Sequence, residues 1–275
     1  MINTLIFSKD RACQLELLLR SIKDNFKELT DITILYLPTN NDYEKGYDKL
    51  KEEYKDINWV FESAFVSQTK EIVNGFDKQF FLNFVDDEVV IRDTPIDNML
   101  KALKADSKIH CGSLRLDPNM NYCYPASLPM EIPKDLIYNS QLQLYRWNWN
   151  LGDKRVDWYY PSCINSHVYL LSFAKWFINN IDFDCVNNLE GMLNNQRKKF
   201  RPDMICLPKS KTINIANNLI QTGTNRHGNK VEYTTKSLND KFLADSRIST
   251  ENLYNIITNT PTFETDYLWI NHSKS

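Results

Sequence analysis

The segment K78-QFFLNFVDDEVVIR-D93 decides how the chain is read. Five apolar or aromatic residues (Phe80, Phe81, Leu82, Phe84 and Val85) lead into three consecutive acids, Asp86, Asp87 and Glu88, and a second apolar run, Val89 to Ile91, follows at once. Three adjacent carboxylates repel one another, and burying any of them unpaired is costly. The segment therefore reads as a strand whose end presents negative charge to something cationic.

Working outward, "NTLIFS" (3–8) is a short apolar strand that ends in the polar cluster Ser8-Lys9-Asp10-Arg11. Leu15, Leu18, Leu19, Ile22, Phe26 and Leu29 recur every three or four residues and predict a helix. "DITILYLP" (31–38) is a second strand, 42–55 a charged helix, "NWVFES" (58–63) a third strand, 70–76 a helix and "QFFLNFVDD" a fourth strand. This alternation predicts an α/β fold, a mainly parallel twisted sheet with flanking helices. Ligands of such sheets bind beyond the carboxyl ends of the strands. The polar residues expected there are Ser8–Arg11, Thr39–Asn41, Glu62–Ser63 and Asp86–Glu88.

The 275 residues are 42% hydrophobic, enough for a full core, and the net charge of −2 supplies no general attraction to nucleic acid. No window reaches the ~18 apolar residues of a membrane span, and the amino terminus lacks the basic region of a signal peptide. A cytoplasmic protein is expected, with contact at the inner face of a membrane, if any, only peripheral. The six cysteines form no C-x-x-C and read as reduced thiols. The seven glycines form neither a dinucleotide fingerprint nor a P-loop. The second half is richer in Trp, Tyr and Asn: four of the six tryptophans lie between 147 and 176, suited either to stacking on sugar rings or to an ordinary core. Residues 186–202 read as a helix with a basic end, and 215–230 as a polar loop.

"LIFSKDRACQLELLLRSI" followed by "FLNFVDDEVVIRD" resembles the first strand and the D-x-D segment of GT-A glycosyltransferases, closest to the broad family-2-like bacterial group. "GSLRLDPNMNY" (112–122), "DWYYPSCINSHVY" (157–169), "NNLEGMLN" (187–194) and "NNLIQTGTNRHG" (217–228) extend the resemblance over most of 1–230. It implies one GT-A domain over 1–230, with a nucleotide-binding half to about 110 and an acceptor half beyond, and a C-terminal helical extension over 231–275. It implies transfer of a sugar from a nucleotide-diphosphate-sugar, with Mn²⁺ or Mg²⁺, to a glycan or lipid-linked acceptor, inverting, in bacterial surface polysaccharide synthesis.

By the same resemblance Ser8, Asp10, Arg11, Thr39, Asp86, Asp87 and Arg226 contact the nucleotide, while Asp86, Glu88 and His227 hold the metal. Glu190 is the expected base that activates the acceptor, with Asp157 the competing candidate. The sequence departs from the pattern at Glu88, where an Asp is usual, and at Asn165, where an acid is common. Plainer readings stand beside these: a solvated acidic turn paired with Lys or Arg, helix capping by Ser8 or Asp10, ordinary turn or helix-end roles for Asp157 and Glu190, and an exposed loop histidine at 227. His110 and His167 read as structural. Two other functions stay open. One is a sugar-phosphate nucleotidyltransferase, disfavoured because "FSKDRAC" has no glycine; the other is a catalytically silent nucleotide- or carbohydrate-binding module.

Overall fold

The computed structural model describes residues 2–220 and 233–271. The chain opens β1 (Ile2–Lys9), α1 (Ala12–Asn25), β2 (Asp31–Leu37), α2 (Asn41–Glu53), β3 (Asn58–Phe61), α3 (Phe65–Gly75), β4 (Phe80–Val85). All residues of β1 but the last are buried, as a strand covered by helices on both faces requires. β3, β2, β1 and β4 lie side by side in that order, all parallel. The α3 helix begins at Phe65, five residues before the expected start, with Gln68 Oε1 accepting from the Ser63 and Ala64 amides to close its first turn.

The opening segment is explained by a change of sheet. Val85 ends β4, Asp86 and Asp87 make the corner, and Glu88 starts β5 (Glu88–Val90). β5 leaves the main sheet and pairs antiparallel with β13 (Thr212–Ile215) of a second, three-stranded sheet. The two apolar runs are thus buried in two different sheets, and the two aspartates sit where the chain passes between them.

After α4 (Asp97–Ala105), β6 (Ile109–Ser113) rejoins the main sheet; β7 (Tyr122–Cys123) and β8 (Leu128–Pro129) form a separate ribbon. β9 (Ile137–Asn139), β10 (Leu144–Asn148), β11 (His167–Leu170), α5 (Leu171–Asn180), α6 (Val186–Asn195) and β12 (Asp203–Cys206) follow. The nine-stranded order is β3-β2-β1-β4-β11-β6-β12-β10-β9, with β11 antiparallel to both neighbours and joining the parallel block to the rest. β13 (Thr212–Ile215), α7 (Thr235–Leu243), β14 (Ser246–Ile248), β15 (Thr262–Phe263) and β16 (Trp269–Asn271) complete the chain.

The carboxyl-terminal segment, expected as a helical extension, carries one helix and three short strands among its described residues. α7 packs on α1 and α2, and β15 pairs with β13. Gly46 permits that packing: a Cβ there would stand 2.5 Å from Asn239 Oδ1 and 2.9 Å from Ala12 Cβ. The basic end of the expected helix over 186–202 is a separate 3-10 turn, Arg197–Lys199.

Three of the four clustered tryptophans belong to the core. Trp147, Trp149 and Trp158 are buried, and their indole N–H groups donate to the carbonyls of Trp158 (2.6 Å), Arg201 (2.6 Å) and Met120 (3.0 Å). His110 is buried and stacks on Phe200 at 4.3 Å, and His167 is buried with Nδ1 at 2.9 Å from the Asn165 carbonyl, so both are structural. All six cysteines are free thiols. Among the described residues no helix is long and apolar enough to cross a membrane.

Candidate active site

A cavity of about 550 Å³ opens beyond the carboxyl ends of β1, β2, β3 and β4. One wall carries Ser8, Lys9, Arg11, Asp86 and Asp87; the other carries Arg115, Asp157, Cys163, Asn165 and Glu190.

On the first wall the aspartates meet the cation that the sequence required. Arg11 Nη1 donates to Asp86 Oδ1 at 3.0 Å and to Asp87 Oδ2 at 3.1 Å, and Nη2 donates to the Asn218 carbonyl at 2.6 Å. Asp86 Oδ2 accepts from Ser8 Oγ (2.9 Å) and the Lys9 amide (3.1 Å), and Asp87 Oδ1 accepts from Asn214 Nδ2 (3.0 Å). All four carboxylate oxygens therefore have donors. Two acids against one guanidinium still leave one net negative charge. Burial pushes the Asp86 carboxyl upward against the pull of Arg11, and the charge of Asp87 adds to the rise.

Other expected members of this wall lie elsewhere. Glu88, expected as the principal metal ligand, does not border the cavity. It is 1% exposed, accepts from the Val85 amide at 2.9 Å, and is hydrogen bonded by Ser166 Oγ. The reason is strand alternation: Glu88 is the first residue of β5, opposite Asn214, and its side chain turns away from Asp87 into the protein. Burial raises its carboxyl to about 8.

Asp10 and Thr39, expected at the nucleoside, are bonded to each other. Asp10 accepts from the Thr39 amide (2.7 Å) and hydroxyl (2.8 Å), and neither residue borders the cavity. The backbone of Asp10 is left-handed, with φ of 55°, a conformation Asp tolerates when its short side chain is bonded locally. α1 starts without a side-chain cap, so neither Ser8 nor Asp10 caps it. Arg226 and His227 lie outside the described residues.

The second wall is assembled from loops and one helix. Asp157 begins a 3-10 turn, Asp157–Tyr159, pinned by the fully buried Trp158. On α6, Leu189 and Leu193 are buried four residues apart, while Val186, Asn187 and Glu190 share the adjacent face toward the cavity. Glu190 Oε2 accepts from the Ile164 amide at 3.0 Å, and burial raises its carboxyl above the ordinary range. Asp157 Oδ1 lies 3.4 Å from Arg115 Nη2, and Asp157 Oδ2 has no hydrogen-bond partner. Arg115, which the sequence reading assigned no role, is 4% exposed and also donates to Cys163 Sγ (3.0 Å) and Thr262 Oγ1 (2.8 Å). A lone arginine within "CGSLRLD" was the available signal.

A divalent cation suits the first wall. Magnesium is commonly held by one or two carboxylates together with substrate phosphates. Asp86 and Asp87 are hard oxygen donors that border the cavity and already converge on one cationic nitrogen. Among the described residues no group of three or more His, Cys, Asp and Glu is placed to hold an ion. The pair fits Mg²⁺ or Mn²⁺ only with ligands from a bound diphosphate.

No protein-family model matches the chain. The bifunctional glycosyltransferase pgtA of Dictyostelium discoideum is 25% identical over 195 residues, 66% of this chain and 25% of that protein. The chain thus spans about a quarter of this relative's length. This relative is a eukaryotic protein and lends the expected bacterial subgroup no support. Among solved structures, GalNAc-T7 with UDP, GalNAc and Mn²⁺ superposes with a TM-score of 0.52 at 10% identity, over 86% of this chain and 47% of that one. Residues 1–349 of S. aureus TarS superpose at 0.49 and 9% identity, over 78% of this chain and 61% of that one. The chain has the fold of the GT-A glycosyltransferases.

Proposed function

We propose that the chain transfers a sugar from a nucleotide-diphosphate-sugar to an acceptor hydroxyl across this cleft. The observation that carries the reading is that two pairs of carboxylates line one cavity: Asp86 and Asp87 at the strand ends, Asp157 and Glu190 on a loop and a helix. The match to a protein named as a glycosyltransferase supports it. Asp86 and Asp87 are the residues that would hold Mn²⁺ or Mg²⁺, which when bound supplies positive charge beside the departing diphosphate.

The chain's own residues do the rest. Ser8, the Lys9 amide, Arg11 and Asn214 fix the two aspartates before substrate arrives, so little reorganisation is needed on binding. Glu190 is the base: it takes the proton of the acceptor hydroxyl as that oxygen attacks the anomeric carbon, and the sugar inverts. Its raised proton affinity, set by burial, suits proton transfer near neutral pH better than an ordinary carboxylate would. Asp157, paired with Arg115 through Oδ1 while its Oδ2 is buried, helps to position the wall beside Glu190. A glycan or lipid-linked acceptor, and a role in surface polysaccharide synthesis, rest on the sequence motifs.

Incubation with a panel of nucleotide-sugars and Mn²⁺ tests the reading. Release of nucleoside diphosphate that rises with added acceptor is expected. Tight binding without any turnover would instead indicate a silent binding module.

A further inference from the structure

The same cavity is also lined by residues that the proposed transfer does not use. Phe7, Leu37 and Phe65 give that lining an apolar part, with the Phe65 ring centroid 5.6 Å from that of Phe7 and 5.8 Å from that of Phe183. Two opposite charges border it, Lys9 at the end of β1 and Glu62 just beyond β3. Both are half-buried. The Glu62 backbone is fixed by its amide, which donates to the Tyr36 carbonyl at 2.8 Å. Among the described residues neither the Lys9 ammonium nor the Glu62 carboxylate has a hydrogen-bond or ion-pair partner, and they do not pair with each other. Burial raises the Glu62 carboxyl and the nearby Lys9 opposes the rise, so the two feel one another across the gap.

An unpaired acceptor and an unpaired donor facing one apolar slot call for a flat ligand whose edge carries both complements. A carboxylate has two oxygens and accepts best from two adjacent N–H groups, while an ammonium only donates. Guanine presents N2–H and N1–H side by side, with the O6 acceptor next to them. Uracil has a single N3–H flanked by two carbonyls, one of which would face the carboxylate's lone pairs. Cytosine and adenine carry an amino group with no ring N–H beside it.

We propose that Glu62 and Lys9 select guanine, Glu62 accepting from N1–H and N2–H and Lys9 donating to O6, so that the donor is a GDP-sugar. The inference rests on the nucleotide-sugar reading and narrows it.

Calorimetry of the full chain with Mn²⁺ and GDP, IDP, UDP, CDP and ADP tests it. GDP should bind tightest, by roughly 5–150-fold over UDP, CDP and ADP, the range for one well-made bidentate contact. IDP, which lacks only the 2-amino group, should be weaker than GDP. Glu62→Gln should bring GDP and IDP to similar affinity and leave UDP unchanged; the side chain is half-exposed, so folding is not at stake. Tighter binding of UDP, CDP or ADP would overturn the guanine assignment and leave the transferase reading standing, as would a GDP-to-IDP ratio untouched in Glu62→Gln. Failure of every nucleotide to bind would overturn both.

Discussion

The two walls of the cleft are built in opposite ways. The wall at Asp86 and Asp87 stands on four parallel strands, and every oxygen of those two carboxylates has a donor in the protein. The wall at Asp157 and Glu190 stands on a 3-10 turn and one helix face, and its carboxyls are held by Arg115 and the Ile164 amide. A saturated wall is suited to hold a highly charged ligand in one place. The other wall brings to the cavity a carboxyl, Glu190, whose proton affinity is raised by burial. Under the proposed function, binding falls to the first wall and chemistry to the second.

The largest effect should appear when the second wall is altered. Glu190→Gln should leave nucleoside-diphosphate affinity nearly unchanged and lower turnover by roughly 10²–10⁴-fold, the usual range for a lost base. Asp157→Asn is the control. If Asp157→Asn carries that loss and Glu190→Gln stays active, the base is Asp157.

Arg115 joins the two kinds of construction, since it ties Asp157 and Cys163 to Thr262 of the second sheet. Arg115→Met removes a buried cation and leaves Asp157 without its partner. A loss of roughly 3–5 kcal/mol in chemical denaturation is expected, the cost of breaking a buried pair from one side. A change below about 0.5 kcal/mol, the level of an ordinary surface substitution, would show that Arg115 is not needed to hold the wall.

A smaller effect comes from the core behind the second wall. Burial lowers His110 to about 3, against an unfolded value near 6.5. A depressed folded value means the unfolded chain binds the proton first. The stability held by neutral His110 is therefore complete above pH 6.5 and is lost as pH falls from there toward 3. His110→Phe, which keeps a ring against Phe200, should flatten that part of the melting-temperature profile, by on the order of a few kcal/mol at most. An unchanged profile would place the acid sensitivity elsewhere.

The smallest effect is expected at Glu88. Because Glu88 is turned inward, Glu88→Gln keeps an acceptor for the Val85 amide and should leave Mn²⁺-dependent nucleotide binding as it was. Loss of that binding would bring Glu88 back to the metal.

The same contrast explains which parts were legible in the sequence. The first wall was largely readable, because β1 to β4 are apolar runs that end in polar clusters and the parallel fold brings those ends together. Within it, Glu88 misled because nothing local reveals that β5 has joined another sheet, where strand alternation turns its side chain inward. Asp10 and Thr39 misled because they satisfy each other. The second wall gave fewer signals: the pairing of β10 and β12, the turn pinned by Trp158 and the contacts of Arg115 all join residues far apart in the chain. Glu190 and Asp157 were named by resemblance, and their contacts with the Ile164 amide and Arg115 come only from packing.

The most direct test of the division between the walls is nucleoside-diphosphate calorimetry on Asp86→Asn beside Glu190→Gln, both with Mn²⁺. Asp86→Asn should lose most of its affinity, because the amide cannot supply the second negative charge of the pair, while Glu190→Gln should bind like the unaltered chain. Full affinity in Asp86→Asn together with lost affinity in Glu190→Gln would contradict that division.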